Sequence, residues 1–140
     1  MEIDALRDGA TPLCIACQEG HVDAARLLLD KGAEVDRAKE GGFTPLYIAC
    51  EFGRVNVVRL LLEKGAAADR ARDNGPTPLL LACLQGHVDV ARLLLEKGAD
   101  VNRAMVGTTP LDIAKSKGHE ALVALLEEHM SSKSRDAAES

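Results

Sequence analysis

Aromatic residues are nearly absent from this chain. Its 140 residues include no tryptophan, one tyrosine and two phenylalanines. A core of ordinary size must therefore be packed from aliphatic side chains, and aromatic packing cannot be what holds the whole fold together. The three rings belong to Phe43, Tyr47 and Phe52, which lie within ten residues of one another. Such clustering predicts that the three rings serve one local site and not the packing of the whole core.

Several classes of protein are disfavoured by what the sequence lacks. A net charge of −5 and a pI of about 5.3 provide no basic footprint for nucleic acid. No apolar run approaches the roughly 20 residues that span a bilayer. The start, MEIDALRDG, is too polar for a signal peptide. We therefore expect an intracellular protein, cytoplasmic or nuclear, with no nucleic-acid or membrane partner.

Common catalytic and cofactor motifs are also missing. The chain has no phosphate-binding GxxxxGKS/T and no GxSxG, and Val123 stands where an HExxH motif needs its second histidine. His21, His87 and His119 lie in different copies of an internal repeat of about 33 residues, so neighbouring ones are separated by at least one repeat spacing, on the order of 10 Å. That distance is too long for a shared zinc ion. We expect a non-catalytic protein with no cofactor and no metal.

The four cysteines leave one redox alternative to weigh. Cys17, Cys50 and Cys83 recur at 33-residue steps. Stacked repeats would hold them roughly 8–10 Å apart, beyond the about 4.4–6.8 Å of a disulfide, so separate buried thiols are predicted. Cys14 and Cys17 form a CIAC pair, and Cys14 lies in a first helical turn, where the helix dipole lowers a thiol pKa. The βαβ context of a thioredoxin-like site is absent, and a thiol titration would test this alternative.

The chain is built from an internal repeat. Thr-Pro-Leu recurs at steps of 33, 33 and 32 residues, beginning at Thr11, Thr44, Thr77 and Thr109. Each block predicts a short helix that is capped by the threonine, begins at the proline and ends at a glycine. A second, leucine-rich helix follows, and it ends at Lys-Gly in the first three blocks. Neither helix can bury its leucine face alone, so the blocks must stack.

These motifs resemble the ankyrin repeat. The resemblance rests on the TPLxxA start, the Gly-His pairs and the LLLxKGAxVx ending, and it covers nearly residues 2–130. It implies an all-α ankyrin-repeat solenoid of helix-turn-helix-loop units, with loop fingers at right angles to the helices. It also implies protein–protein recognition through the concave groove. The family favours His after Thr-Pro-Leu, whereas this chain has Cys14, Tyr47, Leu80 and Asp112 there.

We expect one domain over residues 1–130, followed by a disordered tail at 131–140. Residues 1–10 form a partial N-terminal repeat, because EIDALRDGATPL aligns without a gap on DVNRAMVGTTPL. Complete repeats begin near 11, 44, 77 and 109. The last is a C-terminal cap, since Asp112, Lys115 and Glu127 replace apolar or small residues of earlier blocks. The partial first repeat motivates the hypothesis that the chain is a piece of a longer array.

Positions that differ between blocks predict the partner-binding surface. In the resemblance, the loop before Thr-Pro-Leu and the end of the first helix line the groove. Large apolar residues there predict a continuous strip over repeats two to four, with Phe43 and Phe52 as anchors and Tyr47 and Leu80 half buried. A basic rim would come from Arg37, Lys39, Arg70 and Arg72. The predicted partner-binding set is Phe43, Phe52, Tyr47, Lys39, Glu40, Glu51, Arg72, Asp73, Pro76, Leu84, Gln85, Met105 and Val106.

Other interpretations stay open from the sequence alone. Phe43 could pack under a neighbouring loop, or the strip could pair with another copy, although we expect a monomer. The loop arginines could pair locally with Asp36 and Asp69. As alternatives to a protein- or peptide-binding module, the chain could be an architectural spacer of a longer ankyrin array or a designed, consensus-like binding scaffold.

Overall fold

The fold consists of helix pairs stacked in chain order. A computed structural model describes the backbone of residues 9–139 and the side chains of residues 9–132, and within that range it contains eight helices and no strand. The helices are α1 (Pro12–Glu19), α2 (Val22–Asp30), α3 (Pro45–Glu51), α4 (Val55–Glu63), α5 (Pro78–Gln85), α6 (Val88–Glu96), α7 (Pro110–Ser116) and α8 (Glu120–Glu139). None of the helices in the described residues is long and apolar enough to cross a membrane.

The helix boundaries follow the predicted capping chemistry. Each repeat-initiating threonine accepts the backbone N–H three residues later through its side chain, at 3.1–3.2 Å in the first three repeats. In the fourth repeat the Thr109 hydroxyl accepts the Asp112 N–H, and the Asp112 carboxylate accepts the Thr109 N–H. These two hydrogen bonds complete a capping box. Gly20 and Gly86 adopt left-handed conformations directly after α1 and α5. Glycine takes this conformation without the Cβ clash that other residues meet.

Two rows of helices form the layers of the solenoid. The first helices of the repeats, α1, α3, α5 and α7, contact one another in succession, and so do the second helices α2, α4, α6 and α8. The core between the rows is aliphatic, as predicted, and its small slots are filled by alanine and by Cys17, Cys50 and Cys83, which are free thiols with no exposed surface. The predicted all-α solenoid of stacked helix pairs is confirmed.

The last helix is longer than the sequence predicted. We expected a disordered tail at 131–140, but α8 continues through Glu139. No glycine or proline follows Gly118 to stop the helix, and the tail contains Ala, Lys, Arg and Glu, which favour helix. The predicted domain limit at residue 130 stays a prediction. Most of the predicted partial repeat, residues 1–8, lies outside the described residues.

Candidate protein-binding surface

The loop fingers between repeats are held together by a repeated polar contact. The Asp36 carboxylate accepts the Ala67 N–H at 3.1 and 3.3 Å, and the Arg70 guanidinium donates to the Asp36 carbonyl at 3.1 Å. One repeat later, Asp69 accepts the Asp100 N–H at 2.9 Å and Arg103 donates to the Asp69 carbonyl at 2.7 Å. The side chains of Arg70 and Arg103 therefore join successive repeats through the backbone carbonyls of Asp36 and Asp69. The basic rim that includes Arg70 stays a prediction.

We number each finger by the repeat it precedes, so the second, third and fourth fingers are residues 31–43, 64–76 and 97–108. The second and third fingers also touch directly through their backbones. The Asp73 N–H donates to the Gly41 carbonyl at 2.8 Å. A Cβ atom on the adjacent Gly42 would lie 2.6 Å from the Asp73 nitrogen, which no real side chain tolerates. Glycine at position 42 is therefore required by the close approach of two backbones. This contact fixes where the second and third fingers stand relative to each other.

Phe43 is part of a local cluster in the second finger. Its ring packs edge-to-face against Tyr47, with centroids 5.5 Å apart and planes at 76°. The Arg72 guanidinium and the Lys39 ammonium lie 5.5 and 5.6 Å from the centroid of the Phe43 ring. These are cation–π distances. The ring is half buried against the core, so local packing engages the residue that the sequence offered as an anchor.

Tyr47 is buried rather than half buried, with only 2% of its surface exposed, and Leu80 in the same slot of the next repeat is buried as well. The Tyr47 hydroxyl accepts a hydrogen bond from Arg72 Nε at 3.1 Å. Burial raises the pKa of this hydroxyl, while the hydrogen bond and charge of Arg72 offset part of the rise. The reason for the burial is that Arg72, from the third finger, covers the phenol and satisfies its polar end.

Phe52 lies at the opposite end of α3 from this cluster. The helix separates Thr44 from Phe52 by eight residues, about 12 Å along its axis. The Phe52 side chain is 46% exposed, and Leu84, in the last turn of the neighbouring α5, is 44% exposed. We call Phe52 and Leu84 the helix-end patch. The other residues at these two positions are polar and mostly exposed, namely Gln18, Glu19, Glu51, Gln85, Ser116 and Lys117.

The tip of the fourth finger is a second exposed apolar site. Met105 and Thr108 exchange both backbone hydrogen bonds at 3.0 Å around a two-residue turn. Val106 in that turn has φ 51° and a side chain that is 97% exposed. Positive φ is costly for a β-branched residue. We call Met105 and Val106 the fingertip patch.

The structure divides the predicted strip rather than keeping it continuous. The helix-end patch and the fingertip patch lie at opposite ends of the first helices, and the half-buried Phe43 and Pro76 contribute less apolar surface. Of the predicted polar members, Glu40, Asp73 and Gln85 are exposed, whereas Lys39, Glu51 and Arg72 are half buried. Lys39 and Arg72 lie against Phe43, so the predicted basic rim is partly engaged within the protein.

Sequence reasoning missed two exposed apolar residues of the first repeat. Ile15 in α1 and Leu27 in α2 are 44% and 58% exposed. The corresponding residues of the next repeat, Ile48 and Leu60, are buried. The signal was present in the alignment of the repeats, because Ile48 and Leu60 belong to helices that contact the helix pair preceding them, whereas no complete repeat precedes Ile15 and Leu27 among the described residues.

Burial raises the thiol pKa at three of the four cysteines, including Cys17 of the CIAC pair. Burial raises the pKa of Cys17 to about 12, with the neighbouring Cys14 adding to the rise. Burial also raises the pKa of Cys83 to about 12, and it raises that of Cys50. Since the thiolate is the reactive form, these three side chains are protonated at neutral pH and serve as core packing. The geometry gives the redox alternative no support.

Comparison with known families agrees with the repeat architecture. A family model described as ankyrin repeats (3 copies) matches residues 1–72 and again residues 65–136. Together the two matches cover nearly the whole chain. No curated protein matches this sequence.

Proposed function

Because the chain belongs to the ankyrin repeat family, whose members are generally non-catalytic protein–protein interaction modules, we propose that it binds a protein or peptide through one face of the solenoid. The face consists of the fingers and the C-terminal ends of the first helices. Successive helix pairs and hydrogen-bonded fingers hold it in place. Binding to such a preformed surface loses little conformational entropy.

The exposure of Phe52 and Leu84 is the observation that carries the proposal. Neither residue is needed to complete the core, because the other repeats place Gln18, Glu19, Gln85, Ser116 or Lys117 at these positions. A large apolar pair inside a polar surround is the usual composition of a binding hot spot. We propose that the helix-end patch receives apolar side chains of the partner and that the polar surround sets their register.

Phe43 and Tyr47 act indirectly in this proposal. Their ring pair and the covering Arg72 hold the second and third fingers together. Glu40 and Asp73, which are exposed on these fingers, would contact polar groups of the partner. Met105 and Val106 supply a further apolar contact at the fourth finger.

The test compares proteins captured from a lysate of the source cells by four forms of the chain. The unmodified chain is set against Phe52→Ser/Leu84→Ser, against Leu27→Ser as a control that removes an exposed leucine elsewhere, and against Phe43→Ser. Circular dichroism melts identify any variant that unfolds.

We expect specific proteins to be retained by the unmodified chain and by Leu27→Ser, and to be lost at least about 10-fold with Phe52→Ser/Leu84→Ser, as expected for loss of a hot spot. Phe43→Ser should lower the melting temperature. Equal capture by the double variant and the control would contradict the proposed surface.

A further inference from the structure

The two members of the helix-end patch stand one repeat apart. Phe52 follows the last residue of α3, and Leu84 lies in the last turn of α5, which packs directly against α3. Packed helices have axes roughly 8–10 Å apart, so the two apolar side chains are separated by about that distance along the stack. A partner that covers both must offer two apolar groups with the same spacing on one of its faces.

This spacing matches an α-helix better than an extended strand. Residues seven apart on an α-helix lie about 10.5 Å apart along the axis and nearly on the same face. In a strand, residues that share a face are two or four positions apart, which gives roughly 6.6 or 13 Å. Strand residues three positions apart point to opposite faces. The patch is therefore spaced for apolar residues at positions i and i+7 of a helix.

Charge changes sign along the row of residues that contains the patch. The eighth residue after the initiating threonine is Glu19 in the first repeat, Phe52 in the second and Lys117 in the fourth. Glu19 and Lys117 are exposed, and within the described part of the chain neither is in an ion pair or a side-chain hydrogen bond. The half-buried Glu51 adds negative charge on the first-repeat side of the patch. The row therefore runs from acidic, through apolar, to basic.

Neighbouring charges do not change the direction of this gradient. At the first-repeat end, Arg54 brings a positive charge beside the row, and Asp23 in the first turn of α2 brings a negative one. At the fourth-repeat end, Lys115 and Glu120 are likewise opposite in sign. Since each added pair sums to zero, the excess charge stays negative at the first repeat and positive at the fourth.

The junctions between repeats beside the patch are closed by imidazole rings. A Cβ atom on Gly53 would lie 3.0 Å from the His87 ring, and a Cβ atom on Gly86 would lie 2.9 Å from the His119 ring. These glycine positions therefore carry no side chain that could project from the surface. A rod about 10 Å wide, the diameter of an α-helix, can cross the repeats here without meeting a ridge.

We propose, on the basis of the proposed function of the helix-end patch, that the partner segment is an amphipathic α-helix. It lies along the stack, across the C-terminal ends of α1, α3, α5 and α7. Two apolar residues seven positions apart cover Phe52 and Leu84. A basic residue about seven positions beyond one of them faces Glu19, and an acidic residue about seven positions beyond the other faces Lys117. The four contacts span three repeat steps, roughly 24–30 Å, which a helix of about 20 residues covers.

The test uses two displayed libraries of 25-residue peptides. In the helical library, positions 2, 9, 16 and 23 of an alanine- and glutamine-rich background are each varied over Lys, Glu, Leu and Ser. In the extended library, four alternate positions of a threonine-rich background are varied over the same residue types. Each library is selected on the unmodified chain and on Phe52→Ser/Leu84→Ser, and circular dichroism confirms that both proteins are folded.

We expect the helical library to enrich Leu at both central positions, with Lys at one end and Glu at the other. Both orders should appear, because a helix can lie along the row in either direction. Ser at a central position should reduce enrichment at least about 10-fold, and Ser at a charged end about 3-fold, since exposed ion pairs are weak. The same peptides should not be enriched on Phe52→Ser/Leu84→Ser.

A further variant isolates the charge gradient. Glu19→Lys leaves the apolar patch intact and makes both ends of the row basic. The preferred peptides should then carry Glu at both ends, with leucine still at the centre. Glu63→Lys makes the same charge change at an exposed position in the second row of helices. It is the matched control and should keep the preference for opposite charges.

Enrichment from the extended library alone, or an end-charge preference that Glu19→Lys does not change, would overturn the proposal. Lysate capture decides the proposed function separately. Proteins that are lost with Phe52→Ser/Leu84→Ser, while no helical peptide is enriched, would leave that function in place and overturn the helix. A dimer of the unmodified chain that the double variant dissociates would assign the patch to a second copy and would also overturn it.

Discussion

The two ends of the described solenoid are built on the same repeat but present opposite chemistry. The first repeat exposes Ile15 and Leu27, whereas the fourth places Lys115 and Glu127 at positions that are apolar in earlier repeats. The backbone of the pair is similar at both ends, with a threonine-capped first helix followed by a second helix. A few side chains therefore decide whether the outer surface of a repeat is polar enough to face solvent or is apolar and must be covered by another repeat.

The N-terminal caps of α1 and α7 also differ, and the additional charged residue is again in the fourth repeat. Thr11 caps α1 through its hydroxyl alone, because Cys14 at the third helical position is buried in the core. Thr109 forms a reciprocal capping box with the exposed Asp112, and the backbone hydrogen bond from Thr109 lowers the pKa of that carboxyl. A charged residue is tolerated at this position of the fourth repeat because the Asp112 side chain is exposed.

The largest expected effect comes from placing a glutamate at equivalent positions of the exposed first repeat and the covered second repeat. Leu60→Glu should cost at least about 4 kcal/mol of unfolding free energy, because it buries a carboxylate and removes core contacts. Leu27→Glu should change it by less than about 0.5 kcal/mol, because the side chain is exposed. Urea unfolding measures both. Similar losses in the two variants would show that the first repeat is covered after all.

The second expected effect is a loss of unfolding free energy at alkaline pH. It comes from the first three repeats, which bury a cysteine at the position where the fourth repeat has Lys115. The folded-state thiol pKa is raised from the ordinary value of 9.0 to about 12 at Cys17 and Cys83. The unfolded chain therefore loses these protons first as pH rises. The stability they contribute is fully present below pH 9 and is lost toward pH 12, by about 1.4 kcal/mol per thiol for each pH unit.

Urea unfolding between pH 7 and 10.5 under reducing conditions measures this loss. Replacing Cys17, Cys50 and Cys83 by alanine should flatten the profile above pH 9, leaving a smaller slope from the buried Tyr47 hydroxyl. A profile of the same steepness without the thiols would assign the alkaline loss to other groups.

The smallest expected effect compares two neighbouring fingers. Asn74 and Val106 both have positive φ, near 52° and 51°, but only asparagine tolerates it well. Val106→Asn should raise the unfolding free energy by about 1 kcal/mol by removing strain at the fourth finger. Val106→Thr, which keeps the branch at Cβ, is the matched control and should give no gain in a thermal melt. A gain from both variants would point to lost exposed apolar surface instead.

Much of the architecture was predictable because it rests on local rules that recur at a fixed period. Thr-Pro at a helix start and glycine at its end act over a few residues, so four copies of the pattern identified the helix pairs. The burial of the cysteines followed from their place in that pattern. The extended α8 was not predicted, because polar composition was taken as disorder although nothing in residues 119–139 stops a helix.

The candidate surface was less predictable, since a sequence window does not show which side chains face each other. Phe43, Tyr47 and Phe52 lie within ten residues, yet Phe52 lies at the C-terminal end of α3, whereas Phe43 and Tyr47 pack together at its N-terminal end. Arg72, which is 25 residues from Tyr47 in the chain, covers the phenol and so removes it from the surface.

The sequence by itself determined the repeat, its helix pairs, its aliphatic core and its family, because these depend on local capping and on side chains that recur in register. The tertiary structure decided which rings pack and which are exposed, that Arg70 and Arg103 donate hydrogen bonds to the preceding finger, and that Ile15 and Leu27 are exposed. These outcomes depend on contacts between neighbouring repeats. A residue's exposure in a solenoid is set by the repeat beside it as much as by its own.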